Sequence, residues 1–232
     1  MSEFRINFKL QTELDKIAPF GEKGRYSLSW FGLTDSLLWI TAGDSTVYEY
    51  LQSARDDISY NDYYLSRFLE DFSGIFGSVA EPISRELFDG VESFDALTQR
   101  ELDKLDEDDP AFDEKYDEIL AQREWFTDRI FDSGHLRGGP DIGCFRCGER
   151  LKFYWNSTAE DLWTSPRGSF ELPYRDFVSA VKRFFGEFYA QMDEQVKRAL
   201  DKDWGEIKVD KEYLLIENSE RKIGFDQGLA LL

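Results

Sequence analysis

The stretch FELPYRDFVSAVKRFFGEFYAQM, residues 170–192, contains the change of hydrophobic period that decides the fold class. Before Pro173, Phe170 and Leu172 alternate with polar residues, as in a half-buried β-strand. After Pro173, apolar residues recur every three or four positions, as on one face of a helix, and proline is favoured at the first helical position. The stretch therefore predicts a strand followed by a long helix over residues 174–202. The predicted buried face of this helix comprises Phe177, Val181, Phe184, Phe188 and Met192.

Strand-like alternation also occurs on both sides of this stretch. Four segments near the N-terminus predict an antiparallel meander: Phe4–Leu10, Tyr26–Trp30, Leu37–Thr41 and Val47–Tyr50. A strand through Leu151, Phe153 and Trp155 is predicted to pair with Ile142–Arg146. Three more short strands are predicted towards the C-terminus, near Glu206–Asp210, Tyr213–Glu217 and Lys222–Phe225.

The middle third has helical periodicity instead. Aromatic residues four positions apart predict a helix that Gly77 ends, namely Tyr64, Phe68, Phe72 and Phe76. Ser93 is a predicted N-cap for a second helix. Asp109 and Pro110 predict the N-cap and first residue of a third helix, which we expect to end near Ile130.

This order of elements predicts an α+β fold with antiparallel strands at both ends of the chain, an acidic helical middle and one long helix in the C-terminal half. We expect a single domain over residues 1–232, because the chain is long enough for one large core and contains no obvious linker or repeat. Its expected parts are a strand meander (1–54), an acidic helical region (55–132) and strands with the long helix (133–232).

The net charge of −19 is concentrated in the middle third. Arg55–Asp132 contains 23 acidic and 8 basic residues, whereas the segments before and after it each have a net charge of −2. Such a field repels nucleic acid and anionic membrane and accelerates encounter with a basic partner, although it could also serve solubility alone. The chain has no apolar run long enough to span a membrane and no apolar signal-peptide core, so we expect a cytoplasmic protein.

Candidate catalytic and metal-binding groups are few. Cys144 and Cys147 form a lone C-x-x-C motif with His135 upstream, but a structural zinc site needs four ligands. The motif is expected in a strand pair, with metal binding and redox chemistry as alternatives. His135, the single histidine, is expected in a turn between glycines. The sequence has no nucleophile elbow and no phosphate-binding loop, so we expect no cofactor, no metal and no enzymatic activity.

The segment LDKLDEDDPAFDEKYDE, residues 102–118, holds nine carboxylates and two lysines. Asp106, Asp109, Asp113 and Asp117 are three, four and four residues apart, so on a continuous helix they would line one destabilising face of like charges. Carboxylates beside aromatic rings are typical of a partner-binding surface, although a solvated surface without a partner is the alternative. The predicted partner-binding residues are Asp106, Glu107, Asp108, Asp109, Asp113, Glu114, Tyr116, Asp117 and Glu118.

Several short stretches resemble a family of uncharacterised bacterial proteins, and the resemblance extends over about half of the chain, in both strand regions. They are Leu28–Asp35 (LSWFGLTD), His135–Asp141 (HLRGGPD), Leu151–Asn156 (LKFYWN), Trp163-Thr164 and Phe170–Pro173 (FELP) before the long helix. This family implies no activity. The chain also resembles, in its acidity and α+β pattern, the immunity proteins that bacteria keep beside polymorphic toxins, which implies that its partner is a toxin domain.

Charge and resemblance together suggest an immunity-type inhibitor that binds and occludes a basic partner, the nuclease-like enzymatic domain of a bacterial toxin, by placing carboxylates where substrate phosphates would lie. Two other functions fit the sequence: a hydrolase or transferase that uses acidic residues in the strand regions, and a structural or regulatory interaction module without inhibitory function. A substrate-shaped cleft lined by strand carboxylates would favour the enzyme.

Overall fold

The computed structural model describes residues 3–106 and 108–232 and has an α+β fold. Its strands are β1 (Phe4–Leu10), β2 (Ser27–Leu28), β3 (Asp35–Ala42), β4 (Ser45–Val47), β5 (Asn61–Tyr64), β6 (Ile130–Phe131), β7 (Asp141–Cys147), β8 (Arg150–Asn156), β9 (Arg167–Pro173) and β10 (Lys208–Val209). Its helices are α1 (Leu65–Gly74), α2 (Phe76–Ala80), α3 (Arg85–Gly90), α4 (Phe94–Leu102), α5 (Phe112–Thr127), α6 (Tyr174–Asp201) and α7 (Lys211–Leu229).

The first sheet is built around β3, which pairs along its length with β1 and on its other edge with β4 and β5, all antiparallel. Burial alternates along β3, so that Leu38 and Ile40 face the core while Leu37 and Trp39 lie half-buried on the outer face. The predicted antiparallel pairing is thus confirmed, but the strand order differs from a simple meander. β2 leaves this sheet and pairs in parallel with β10.

The second sheet has the order β6-β7-β8-β9 and is antiparallel throughout. The predicted strand through Leu151, Phe153 and Trp155 is confirmed as β8, and all three side chains are buried. The chain then passes from β9 at Pro173 directly into α6, as the change of hydrophobic period predicts.

Helix α6 packs against both sheets and lies at the centre of the main core. Its predicted stripe is buried as expected: Phe177, Val181, Phe184, Phe188 and Met192. Rings from other elements meet this stripe, since Phe72 of α1 contacts Phe177 edge-on and Phe8 of β1 contacts Phe184 in the same way. A second, smaller core lies under α3, α4 and α5 and contains Phe88, Phe126 and Phe145.

The predicted strands near Tyr213–Glu217 and Lys222–Phe225 are wrong, because both segments belong to α7. Asp210 caps this helix by accepting the backbone N–H of Tyr213 at 2.9 Å. The inner face of α7 includes polar residues with partners in the fold, so its apolar residues alone show no helical period. Within Glu206–Asp210 the strand is confirmed only as the two residues of β10.

Other boundaries also differ from the predictions. The strand predicted over Tyr26–Trp30 shrinks to β2, since Trp30 lies in a turn, where its backbone carbonyl accepts the N–H of Leu33. β4 ends before Tyr48, whose φ of 67° is left-handed. Gly77 lies inside α2 rather than at the end of α1, because Ile75 interrupts the helix.

The acidic middle is helical in part only. β5 precedes α1 and belongs to the first sheet, and the helix predicted to reach Ile130 ends at Thr127 because Ile130–Phe131 pairs with β7 as β6. None of the helices in the described part of the chain combines the length and the apolar character that a membrane crossing requires.

Candidate functional site

The predicted partner-binding residues lie on α5 and on the loop that joins it to α4. Helix α4, residues 103–111 and α5 are called the acidic hairpin below. Asp106, Asp108 and Asp109 are in the loop, whereas Asp113, Glu114, Tyr116, Asp117 and Glu118 are on the helix. Glu107 lies outside the described residues.

The four aspartates do not form a row on one helical face, because they do not lie on one continuous helix. The chain turns at Pro110, and the backbone N–H of Phe112 donates to the carbonyl of Asp109 at 2.8 Å, so α5 begins two residues after the proline. Asp109 is therefore not the N-cap, although the break between α4 and α5 is confirmed. Only Asp113 and Asp117 remain on continuous helix.

Among the predicted residues that the structure describes, Asp109 has the strongest local role. Its carboxylate accepts the Lys115 ammonium at 2.6 Å and the backbone N–H of Ala111 at 2.9 Å. These two hydrogen bonds lower the pKa of Asp109 below its ordinary value. The residue therefore orders the turn before α5 and is less free to meet a partner than its neighbours.

Helix α5 is exposed on almost all sides over its first three turns. The only residue of α5 that is buried is Phe126, near its C-terminal end. Tyr116 and Leu120, one turn apart, are 40% and 39% exposed, and Leu97 of α4 is 49% exposed. Large apolar side chains and carboxylates thus share the open surface of the acidic hairpin.

The acidic hairpin is anchored at one end. Phe126 stacks on Phe94 of α4 at 4.5 Å between ring centroids and on Phe145 of β7 at 5.1 Å. Beside it, the guanidinium of buried Arg129 lies 4.0 Å from the centroid of the Trp125 ring and reaches Glu81 at 3.2 Å. These contacts hold the end of the acidic hairpin near Phe126 against the rest of the fold, while the described residues of the loop at 103–111 are mostly exposed.

The HLRGGPD segment forms a tightly bonded loop between β6 and β7. The Asn61 amide donates to the carbonyl of Leu136 at 2.5 Å, and the Trp163 indole donates to that of Gly138 at 2.8 Å. A Cβ at Gly139 would lie 2.7 Å from the Tyr48 ring, so only glycine fits there. The loop packs the two sheets together.

His135 lies in this loop's turn, as predicted, with Nε2 3.0 Å from the carboxylate of Asp71. Burial raises the pKa of Asp71, and the nearby His135 lowers it. Ser133 does not complete a catalytic triad, because its hydroxyl accepts from Tyr48 and donates to the carbonyl of Pro140.

The two cysteines behave as the sequence predicts. Both lie on β7, where Cys144 pairs with Phe153 and Cys147 with Arg150 across the hairpin to β8. Cys144 is fully buried, and burial raises the pKa of its thiol. Within residues 3–106 and 108–232, no three His, Cys, Asp or Glu side chains are grouped as a metal site.

A cleft of about 480 Å³ lies at one end of the first sheet, in a place that the sequence did not indicate. Asp35 of β3 and Asp62 of β5 line it. Burial raises the pKa of Asp35, a backbone hydrogen bond from Ser36 lowers it, and the charge of Asp62 raises it further. Asp62 instead accepts the Tyr50 hydroxyl at 2.9 Å.

Arg137 links this cleft to the HLRGGPD loop. Its φ of 57° is left-handed, which is uncommon for a residue with a side chain. Its guanidinium donates to the backbone carbonyl of Asp62 at 3.3 Å and lies 5.6 Å from the centroid of the Tyr63 ring. Asp35 and Arg137 both lie in stretches that carry the family resemblance, and this resemblance was the sequence signal that could have pointed to them. Asp62 lies in none of these stretches, so no sequence signal pointed to it.

Comparison with known proteins supports the resemblance seen in those stretches. No curated protein and no solved structure matches the chain. A family model described as "Family of unknown function (DUF5984)" matches residues 5–231. Because this match covers both sheets, the acidic hairpin and all but the ends of the sequence, the chain belongs to the family of unknown function DUF5984.

Proposed function

We propose that this protein is an immunity-type inhibitor and that the acidic hairpin is the surface with which it binds a basic partner. The observation that carries the proposal is the exposure of Tyr116 and Leu120 among carboxylates on a helix whose one buried residue is Phe126, near its C-terminal end. An isolated helix of this length is marginal in water, and packing of an apolar face normally stabilises it. A partner would supply that packing.

The chemistry of the acidic hairpin defines the partner. Carboxylates steer a positively charged protein to the surface, and exposed apolar side chains then anchor it in the manner of a helix bound in a groove. The nucleic-acid groove of a nuclease toxin offers this combination, because it carries basic residues for phosphates and apolar surface for bases. Asp and Glu side chains would occupy the phosphate positions and occlude the groove.

The experiment is a charge reversal confined to carboxylates that support no local structure. Asp108, Asp117 and Glu118 are exposed and form no hydrogen bond or ion pair through their side chains within the described residues. They are replaced together by lysine in the full-length protein. The matched control is Glu187→Lys, Glu194→Lys and Glu220→Lys, which makes the same charge change on exposed positions of α6 and α7.

We expect affinity purification from the protein's own cells to recover a basic protein with the wild type and with the control variant, but not with the hairpin variant. The recovered protein should cleave nucleic acid, and wild-type protein should block that cleavage. Recovery that is equal for all three proteins would exclude the acidic hairpin as the binding surface. Recovery of a partner that has no activity to inhibit would instead favour an interaction module.

One observation favours a second candidate function, a hydrolase or transferase. Asp35 and Asp62 line one cleft in environments that differ, since Asp35 is half-buried with a raised pKa while Asp62 accepts hydrogen bonds from Tyr50 and Arg55. Two carboxylates in unlike environments are a common basis for acid and base roles. Hydrolysis of chromogenic esters, phosphate esters or glycosides that is lost in Asp35→Asn would establish this function, and no turnover of any class would exclude it.

A further inference from the structure

The outer face of the first sheet is only partly covered, and its side chains form rows across three strands. Register places Lys9 of β1 opposite Leu37 of β3, and Leu37 opposite Asp62 of β5. Residues directly opposite in antiparallel strands point to the same face, so these three side chains form one row. In the neighbouring row, Asp35 of β3 lies opposite Tyr64 of β5.

The cleft at the end of this face mixes hydrogen-bond donors with acceptors. Lys9, Gln11 and Thr12 contribute donors to its lining, whereas Asp35 and Asp62 contribute acceptors. Its charges are close to balanced, because two lysines and the neighbouring Arg55 stand against three carboxylates. This balance contrasts with the net charge of −19 for the whole chain. The cleft therefore does not select a strongly charged ligand.

An aromatic pair lies beside the polar groups. Trp39, two residues after Leu37 and hence on the same face of β3, stacks on Tyr60 with ring centroids 4.2 Å apart and an interplanar angle of 14°. Both side chains are half-buried, so part of each ring remains open. Leu37 and Ile58 continue the apolar surface into the cleft.

We propose that this face binds a neutral carbohydrate. A sugar ring presents apolar C–H groups on its faces and hydroxyls that both donate and accept around its edge. The apolar strip formed by Leu37, Trp39 and Tyr60 can pack against the C–H faces of the sugar. The carboxylates, the Gln11 amide and the Lys9 ammonium can form hydrogen bonds with its hydroxyls. The site is separate from the acidic hairpin. It shares Asp35 and Asp62 with the cleft of the second candidate function, but binding of a sugar does not require that the protein turn over a substrate.

The experiment screens the full-length protein against an array of neutral mono- and oligosaccharides and then measures the affinity of each hit by calorimetry. Trp39→Ala removes the aromatic platform, and Asp35→Asn changes one acceptor with little change of shape. The controls are Tyr213→Ala, an exposed aromatic residue on α7, and Asp226→Asn on the same helix. The hairpin variant, with Asp108, Asp117 and Glu118 replaced by lysine, is included as well.

We expect saturable binding of at least one neutral glycan, weakened at least tenfold by Trp39→Ala and several-fold by Asp35→Asn. The two controls and the hairpin variant should bind as the wild type does, which separates this site from the partner surface. If Trp39→Ala does not fold, Asp35→Asn still tests the site. Binding of no glycan on the array, or equal binding by wild type and Asp35→Asn, would overturn the proposal.

Discussion

At the scale of single residues, Asp35 is a carboxyl whose folded environment opposes its charge. Burial raises its pKa above 3.8. The backbone hydrogen bond from Ser36 lowers this pKa, and the charge of Asp62 raises it. The folded state thus binds this proton more tightly than the unfolded state. Proton binding at Asp35 therefore stabilises the folded state fully below pH 3.8, and this stabilisation is lost as the pH rises through the raised pKa.

Asp35→Asn should consequently be more stable than the wild type at pH 7, and the difference should shrink as the pH approaches 3.8. Urea unfolding at several pH values measures this. Asp62→Ala is the opposite control, because it leaves the Tyr50 hydroxyl without its acceptor and should cost about 1–3 kcal/mol. If Asp35→Asn lowers the stability at pH 7, Asp35 has a structural role that its surroundings do not suggest.

The Tyr48–Ser133 hydrogen bond should show the asymmetry of a buried polar pair. Tyr48 is fully buried and its hydroxyl donates to Ser133 at 2.8 Å, while Ser133 in turn donates to the carbonyl of Pro140. Ser133→Ala leaves both Tyr48 and Pro140 unsatisfied and should cost about 1–3 kcal/mol. Tyr48→Phe leaves the Ser133–Pro140 bond intact and should cost about 0.5–1.5 kcal/mol. Equal losses in urea unfolding would contradict this order.

At the scale of elements, α5 should behave as a helix stabilised at its C-terminal end only. Tyr116→Ala and Leu120→Ala should change the free energy of unfolding by about 0.5 kcal/mol or less, because these side chains are exposed. Phe126→Ala should cost about 3–5 kcal/mol, because it empties a buried ring position between Phe94 and Phe145.

Amide hydrogen exchange provides an independent measure of the same element. Protection should increase along α5 from Asp113 towards Phe126, and α6 should be protected throughout because its inner stripe lies in the main core. Uniform slow exchange along α5 would mean that its first turns are stabilised by contacts that the structure does not show.

The elements also show which parts of the fold were accessible from sequence. α6 was predictable because its buried stripe from Phe177 to Met192 is apolar, and the polar residue Gln195 enters the buried face only beyond it. α7 was not, since its inner positions include Asn218 and Arg221, which bond to Trp30 and to Glu70. Exposed apolar residues on its outer side, such as Ile216 and Ile223, make the sequence pattern resemble that of short strands. Asp210 is the N-cap of this helix, but the strand predicted over Glu206–Asp210 concealed that signal.

At the scale of the whole molecule, the charge distribution predicts a salt effect. A net charge of −19 repels itself in the compact state, and salt screens this repulsion. The melting temperature should therefore rise as sodium chloride is increased from 10 to about 150 mM, across which the Debye length falls from ~30 to ~8 Å. The hairpin variant, which relieves part of the repulsion, should respond less. A melting temperature that falls with salt would show that ion pairs outweigh the repulsion.

Of the two candidate sites, only the acidic hairpin could be predicted from the sequence. Clustering along the chain marked the acidic hairpin, because charge in consecutive residues is visible without a fold. The cleft was hidden, because Asp35 and Asp62 come from different strands and meet only through the register of β3 and β5. Arg137 joins them from a loop 75 residues beyond Asp62.

The buried hydrogen bond from Trp30 to Asn218 spans 188 residues, and Gln195 reaches the carbonyl of Leu33 across 162. A ribosome releases the chain from its N-terminus, so the indole of Trp30 has no acceptor until nearly the whole protein has been synthesised. The part of the core around Trp30 must therefore wait for the last helix, and a nascent chain that stalls before α7 emerges would present this unfinished core to chaperones and proteases.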